Sequence, residues 1–207
     1  MSSTWGGAHH WDAHYRARGE EGVSWHQREP TLSLELIELA NVGRDAAVLD
    51  VGAGTSLLLD RLLAAGYSDV TALDVSEVAL AAPKSRIGED ARATFVCEDV
   101  LTWTPPRRYG MWHDRAVFHF LTDPTERAAY VERLHAALQP TGSLVVATFA
   151  TDGPAECSGL EVARYDAAQL AHALQVELVA TRSELHVTPD GRTQPFTWIL
   201  ARATQPT

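Results

Sequence analysis

Val48-Leu49-Asp50-Val51-Gly52-Ala53-Gly54-Thr55-Ser56 constrains this chain more than any other stretch. The apolar run starting at Ala47 reads as a fully buried strand. It ends in a Gly-Ala-Gly turn, and the leucine-rich run Leu57–Ala65 after it reads as a helix. A strand that passes into a helix through glycines fits a parallel α/β sheet, because Gly52 and Gly54 can take positive φ and let another group approach the main chain. Asp74 stands 22 residues after Gly52, at the end of the next apolar run, Val70–Leu73. In an open α/β sheet an acid there reaches the hydroxyls of a ribose bound beyond the strand ends.

Two cofactor classes use such a layout. A dinucleotide calls for a third glycine, and Leu57 occupies that place. Asp50 adds negative charge beside the turn, which suits a cation better than a pyrophosphate. S-adenosylmethionine carries a sulfonium and an α-ammonium and is the favoured reading. A dinucleotide and a purely structural turn stay as alternatives.

The rest of the chain alternates in the same way. Helices are expected over Trp11–Arg18, from Pro30 at a first helical position, after the cap Ser76, from Asp123-Pro124 to Leu138, and over Tyr165–Leu174. Pro83 is expected to end or bend its helix early. Further strands are expected at Ala93–Cys97, Met111–His113 (a weak one), Gly142–Phe149, and in an antiparallel pair Val176–Val187 and Phe196–Ala201. About seven strands result, in one domain over 1–207, with 1–33 as a lid segment ahead of the first strand. The formal charge of −10 disfavours a nucleic-acid partner. The absence of a long apolar run excludes a membrane-crossing helix, and residues 1–7 do not resemble a secretory signal. Cys97 and Cys157 make no disulfide framework, so a reduced, cytoplasmic setting is expected.

Substrate chemistry is expected at the end of the Met111–His113 strand. Asp114, Arg115 and His119 are the catalytic candidates there: Arg115 to orient an anionic group or pair with Asp114, and His119 as a general base. Structural roles for all three stand beside these. The spacing of His113, Asp114 and His119 matches no metal motif, so no metal is expected. Trp11, Tyr15 and Trp25 are expected to fold over the site and pack on a sulfonium, with ordinary core packing as the alternative. The long segment Gly153–Leu160, closed by Arg164 and Tyr165, is expected to shape an acceptor pocket. The segment from His186 through Gln194 to Phe196 either reaches the same face or forms a hairpin tip.

Taken together, Leu49–Thr55, Asp74-Val75 and Cys97-Glu98-Asp99-Val100 resemble the three cofactor motifs of the class I S-adenosylmethionine-dependent methyltransferases, over about Leu34–Arg202. The resemblance implies a Rossmann-like, seven-stranded, mostly parallel sheet with the last strand antiparallel and helices on both faces. It also implies a donor held by Asp50, Gly52, Ala53, Gly54, Asp74, Val75, Asp99 and Val100, with S-adenosylhomocysteine as product. Asp99 would accept from the adenine amino group.

Trp11-Asp12, Trp25-His26-Gln27 and Asp114-Arg115 further resemble the thiopurine S-methyltransferase branch. That likeness implies cofactor cover from Trp11 and Trp25 and substrate contact by Arg115, with His26, Arg164 and Tyr165 as further substrate-side candidates. The chain departs from that branch at Gly-Ala-Gly, at Asp74, where the branch tends to carry Glu, and through its C-terminal third. Asp114–Leu121 also looks like a motif of some protein-lysine methyltransferases, which tend to carry a second acid where His119 stands. A small-molecule acceptor, favoured as a thiol, is therefore expected. Protein lysine and small-molecule O- or N-methylation are the alternatives, and the oligomeric state is left open.

Overall fold

The computed structural model describes residues 4–204. Helices α1 (Gly7–Arg18) and α2 (Thr31–Ala40) precede the first strand. Then follow β1 (Val48–Val51), α3 (Leu58–Ala64), β2 (Val70–Asp74), α4 (Glu77–Ile87), β3 (Ala93–Cys97) and β4 (Tyr109–Arg115). The second half holds α5 (Pro124–Ala137), β5 (Leu138–Phe149), β6 (Glu156–Cys157), β7 (Leu160–Glu161), α6 (Ala167–Leu174), β8 (Val176–Val187) and β9 (Thr193–Ala203).

Seven strands form one sheet in the order β3-β2-β1-β4-β5-β9-β8. Strands β1 to β5 run parallel, and β9 inserts antiparallel between β5 and β8. All four residues of β1 are buried, as a central strand covered on both faces requires. Side chains alternate to two apolar cores. Val48, Met111, Val145 and Trp198 join α2 and α3 on one face; Leu49, Trp112, Val146 and Ile199 join α5 and α6 on the other. The expected fold is thus present, including the antiparallel last strand.

Four local expectations are corrected. Pro83 lies inside α4, which runs on to Gly88 at φ 65°. Pro83 is buried with Ala79 and Leu80, so packing on the domain outweighs the lost helical hydrogen bond. Strand β4 is seven residues long, not a weak three, and all but Arg115 are buried. The segment expected as a bare loop contains a two-residue hairpin, β6 with β7. Pro30 sits at the cap position of α2 rather than inside it. Among the described residues no helix is long and apolar enough to cross a membrane.

Candidate donor and acceptor site

Parallel strands deliver their carboxyl ends to one edge of the sheet, and the chain order reverses between β1 and β4. A crevice opens there. The resulting cavity encloses about 860 Å³ of atom-free space, its open mouth included. One end is lined by Gly52, Asp74, Val75, Glu98, Asp99 and Val100, the other by Arg115, His119, Phe149, Cys157, Gln194 and Phe196.

Asp74 organises the first end. Its carboxylate accepts from the Gly54 N–H and the Ser76 N–H, each at 2.8 Å, joining the glycine turn to the start of α4. Burial pushes its pKa up to about 6. Gly52 and Gly54 both have positive φ, at 65° and 53°. Their free faces are approached by the chain itself: a Cβ on Gly52 would lie 2.0 Å from Val117 Cγ2, and one on Gly54 2.5 Å from Tyr15 Oη. Glycine is thus required here by close packing as well as by backbone shape. Asp99 is half-buried, its carboxylate accepting from Leu101 N–H at 2.8 Å, and burial raises its pKa.

Beneath the glycine turn lies a second cavity, lined by Ser33, Asp50, Ala53, His113, His26 and Arg115 among others. Strands β1 and β4 place Asp50 opposite His113. His113 Nδ1 meets Asp50 Oδ1 at 2.7 Å, and His113 Nε2 meets Ser33 Oγ at 2.9 Å. Asp50 Oδ2 is buried without a partner. A bare carboxylate oxygen under a glycine turn fits a cationic group. With Asp74 and Asp99 on the adjoining cavity wall, the residues fit a positively charged nucleoside donor.

Aromatic residues ahead of β1 contribute to the same wall. Trp5, Trp11, Tyr15 and Trp25 all line the cavity. Trp11 meets Trp25 edge-on at 5.8 Å and Phe120 at 4.9 Å. Ser76 Oγ donates to Asp12 at 2.6 Å, fixing α1 to the cap of α4.

The candidates after β4 separate. Asp114 does not line the cavity. It is fully buried and accepts from the N–H groups of Val117 and Phe118 and from the Tyr130 hydroxyl, so its carboxylate caps the turn after β4. This corrects its assignment as a catalytic residue. Nor does Asp114 pair with Arg115, whose nearest carboxylate is Glu184 at 4.0 Å. Arg115 and His119 do line the cavity. Burial lowers the Arg115 pKa to about 10, and burial together with Arg115 lowers that of His119 to about 3. At neutral pH the guanidinium is charged and the imidazole neutral, and the lowered pKa makes His119 a weaker base than an ordinary histidine.

His26 faces the second cavity, not the acceptor end. Arg164 and Tyr165 line neither, a further correction. Arg164 donates to the Gly153 carbonyl at 3.1 Å, and Tyr165 stacks near Phe118 at 5.6 Å, so both brace the loop. Trp5 and Phe149 were not among the sequence candidates for the site, while Gln194 and Phe196 come from the segment left between the site and a hairpin tip. Among the described residues no group of three His, Cys, Asp or Glu side chains is placed to hold a metal.

The profile of the family described as "Methyltransferase domain" matches residues 48–142, from β1 into β5. Residues 48–142 thus carry a methyltransferase domain, and the seven-stranded sheet around it agrees with the class I S-adenosylmethionine-dependent methyltransferases. S-adenosylmethionine is the family's methyl donor. Among relatives, the chain is similar to thiocyanate methyltransferase 1 of Arabidopsis thaliana, 32% identical over 132 residues, covering 61% of this chain and 56% of that protein. It is also similar to EEF1A lysine methyltransferase 2 of Danio rerio, 26% identical over 153 residues, covering 66% of each. The chain thus spans roughly half to two thirds of those curated relatives. Among solved structures, one from work on conversion of a disulfide bond into a thioacetal group during echinomycin biosynthesis aligns with TM-score 0.75 at 21% identity. That alignment covers 97% of this chain and 94% of the other, a likeness of fold.

Proposed function

We propose that the chain transfers the methyl group of S-adenosylmethionine to a small-molecule acceptor, with a thiol favoured. One observation carries this reading. The donor crevice continues into a covered, largely aromatic end whose charged group is a cation, Arg115, with no carboxylate among the side chains named there. A lysine ammonium would meet a like charge in that space. A phenol or alcohol would need a stronger base than a neutral, buried imidazole. A thiol, with a reference pKa near ~8.5, needs the least help.

The donor's sugar hydroxyls would be held by Asp74, its adenine amino group by Asp99, and its α-ammonium by the bare oxygen of Asp50. Val75 and Val100 would pack its apolar surfaces, and Trp11, Tyr15 and Trp25 would exclude water and face the sulfonium. The donor brings a methyl group already activated on sulfonium. The chain's task is alignment of the acceptor. The thiocyanate methyltransferase likeness agrees with a sulfur acceptor, and the lysine methyltransferase likeness supplies the competing class.

The test is formation of S-adenosylhomocysteine with a panel of thiols, amines, phenols and lysine peptides. Turnover with thiols at least tenfold above the rest is expected. Inertness toward every thiol, with turnover of a lysine peptide, would overturn the reading.

A further inference from the structure

We infer that the acceptor end is an anion site without a proton acceptor, so that the acceptor enters already ionised, as a small sulfur anion such as the thiolate of an acidic thiol. This inference rests on the methyl-transfer reading above and names its substrate class.

The donors in this space are unspent. Arg115 is largely withdrawn from solvent, its side chain 10% exposed. Its Nη1 donates to the Trp25 carbonyl at 2.9 Å, while Nε and Nη2 have no partner. Glu184, 4.0 Å from Nη2, is the nearest carboxylate but stands beyond hydrogen-bond distance; its Oε1 accepts from Gln27 at 2.8 Å and its Oε2 from the Trp198 indole at 2.9 Å. The Phe196 ring lies 4.9 Å from the guanidinium carbon, closing one face to water. A buried cation with two bare N–H groups is costly unless an anion completes it.

His119 adds a third donor. Its Nδ1 accepts from the Phe149 N–H at 3.4 Å. In a neutral imidazole the nitrogen that accepts is the unprotonated one, so Nε2 carries the hydrogen. Nε2 is buried and has no partner. Neither nitrogen is therefore free to take a proton. Asp114, the other candidate, already accepts three hydrogen bonds away from the cavity. Cys157, on the same wall, is a thiol that burial holds protonated. The cavity's own acids, Asp74, Glu98 and Asp99, lie at the nucleoside end.

An anionic sulfur acceptor needs no base. Its lone pair forms the new sulfur–carbon bond, the carbon–sulfur bond of the sulfonium breaks, and that pair stays on the departing sulfur. One anion and one cation become two neutral thioethers, and no proton moves. Arg115 offsets the acceptor's charge before the step and orients it.

The test uses the full chain with 4-nitrothiophenolate. Its binding is followed by tryptophan fluorescence quenching in the presence of S-adenosylhomocysteine, and turnover is followed across thiols of graded acidity. The rate is expected to follow each thiol's own ionised fraction, with no enzyme ionisation between pH about 7 and 9, above the range in which Asp74 titrates. Arg115→Gln is expected to weaken thiolate binding roughly 10-fold or more, with Arg115→Lys between it and wild type. S-adenosylhomocysteine binding, by calorimetry, should shift less than about 2-fold, and it also verifies that each variant is folded. His119→Phe should raise KM and leave the shape of the pH profile unchanged. A rate that stays flat below a thiol's own pKa, or a pH limb that vanishes in His119→Phe, reveals a base and overturns the inference. Equal loss of thiolate and S-adenosylhomocysteine binding in Arg115→Gln also overturns it, since the guanidinium then serves the donor's own carboxylate. Turnover confined to amines or neutral phenols sinks the anion site and leaves methyl transfer standing. Arg115-dependent thiolate binding without any turnover does the reverse.

Discussion

On the proposed reading, Asp74 serves the scaffold and the ligand together. It gathers the N–H groups of Gly54 and Ser76, and each oxygen keeps acceptor capacity for a sugar hydroxyl. Asp74→Ala should weaken S-adenosylhomocysteine binding roughly 10- to 100-fold, from loss of charge-assisted hydrogen bonds. Asp74→Asn should fall between, and calorimetry reads both; unchanged affinity in Asp74→Ala would refute the assignment. His119 yields a stability prediction with a definite sign. Its folded pKa, near 3, lies below the ordinary value of 6.5. Burying it neutral therefore costs nothing extra above pH about 6.5, and stability is lost progressively as pH falls from there toward about 3, because the unfolded chain binds the proton first. His119→Phe should lose less stability than wild type between pH 7 and 4.5 in urea unfolding. Parallel pH slopes would show that the imidazole is not held neutral. The places of Asp50, Asp74 and Asp99 at or next to strand ends were legible in sequence. The roles of Asp114 and His119 were not, because residue type alone does not show whether a carboxylate faces a crevice or caps a turn.

At the scale of elements, the turns after β1 and β4 fit one another side chain to main chain. Ala116 adopts φ 72°, a left-handed conformation unusual for a residue with a Cβ, and its N–H donates to the Ala147 carbonyl at 2.9 Å. Asp114 holds the two following N–H groups, so the strained turn is pinned from both sides. Val117 thereby reaches over Gly52. Gly52→Ala should cost about 1–3 kcal/mol through the collision with Val117 and the positive φ. Adding Val117→Ala should recover the collision and leave about 1 kcal/mol for the backbone. Strict additivity of the two substitutions in unfolding experiments would show that the turns are not in contact. The strands around these turns were legible because apolar runs bounded by glycine and acids have few other uses. β4 was under-read because Trp112 and His113 spend their polar atoms on Tyr130, Asp50 and Ser33, partners far away in sequence. Pro83 misled because helix propensity is local, while the packing that overrides it is not.

Across the whole molecule, the segment leading from α1 to α2 is fastened to elements remote in sequence. Gln27 reaches Glu184 across 157 residues, His186 meets the Ser24 carbonyl at 2.8 Å, and Arg115 holds that of Trp25. No local pattern announces such contacts, which is why the hairpin of β8 and β9 was left between two roles in sequence while Gln194 and Phe196 in fact line the cavity. One of these fastenings is to Arg115, which lines the cavity, and the segment itself contributes Trp25 to the lining. Donor binding should then order it as a unit. In hydrogen exchange, amides over 20–29 should slow on adding S-adenosylhomocysteine, by roughly 10-fold if closure gains about 1.4 kcal/mol. Glu184→Gln, which keeps the hydrogen-bonding shape but removes the nearest negative charge from Arg115, should reduce that protection less than Glu184→Ala, which removes the anchor itself. If the amides exchange alike with and without S-adenosylhomocysteine, the segment is a fixed wall and substrates enter by another route.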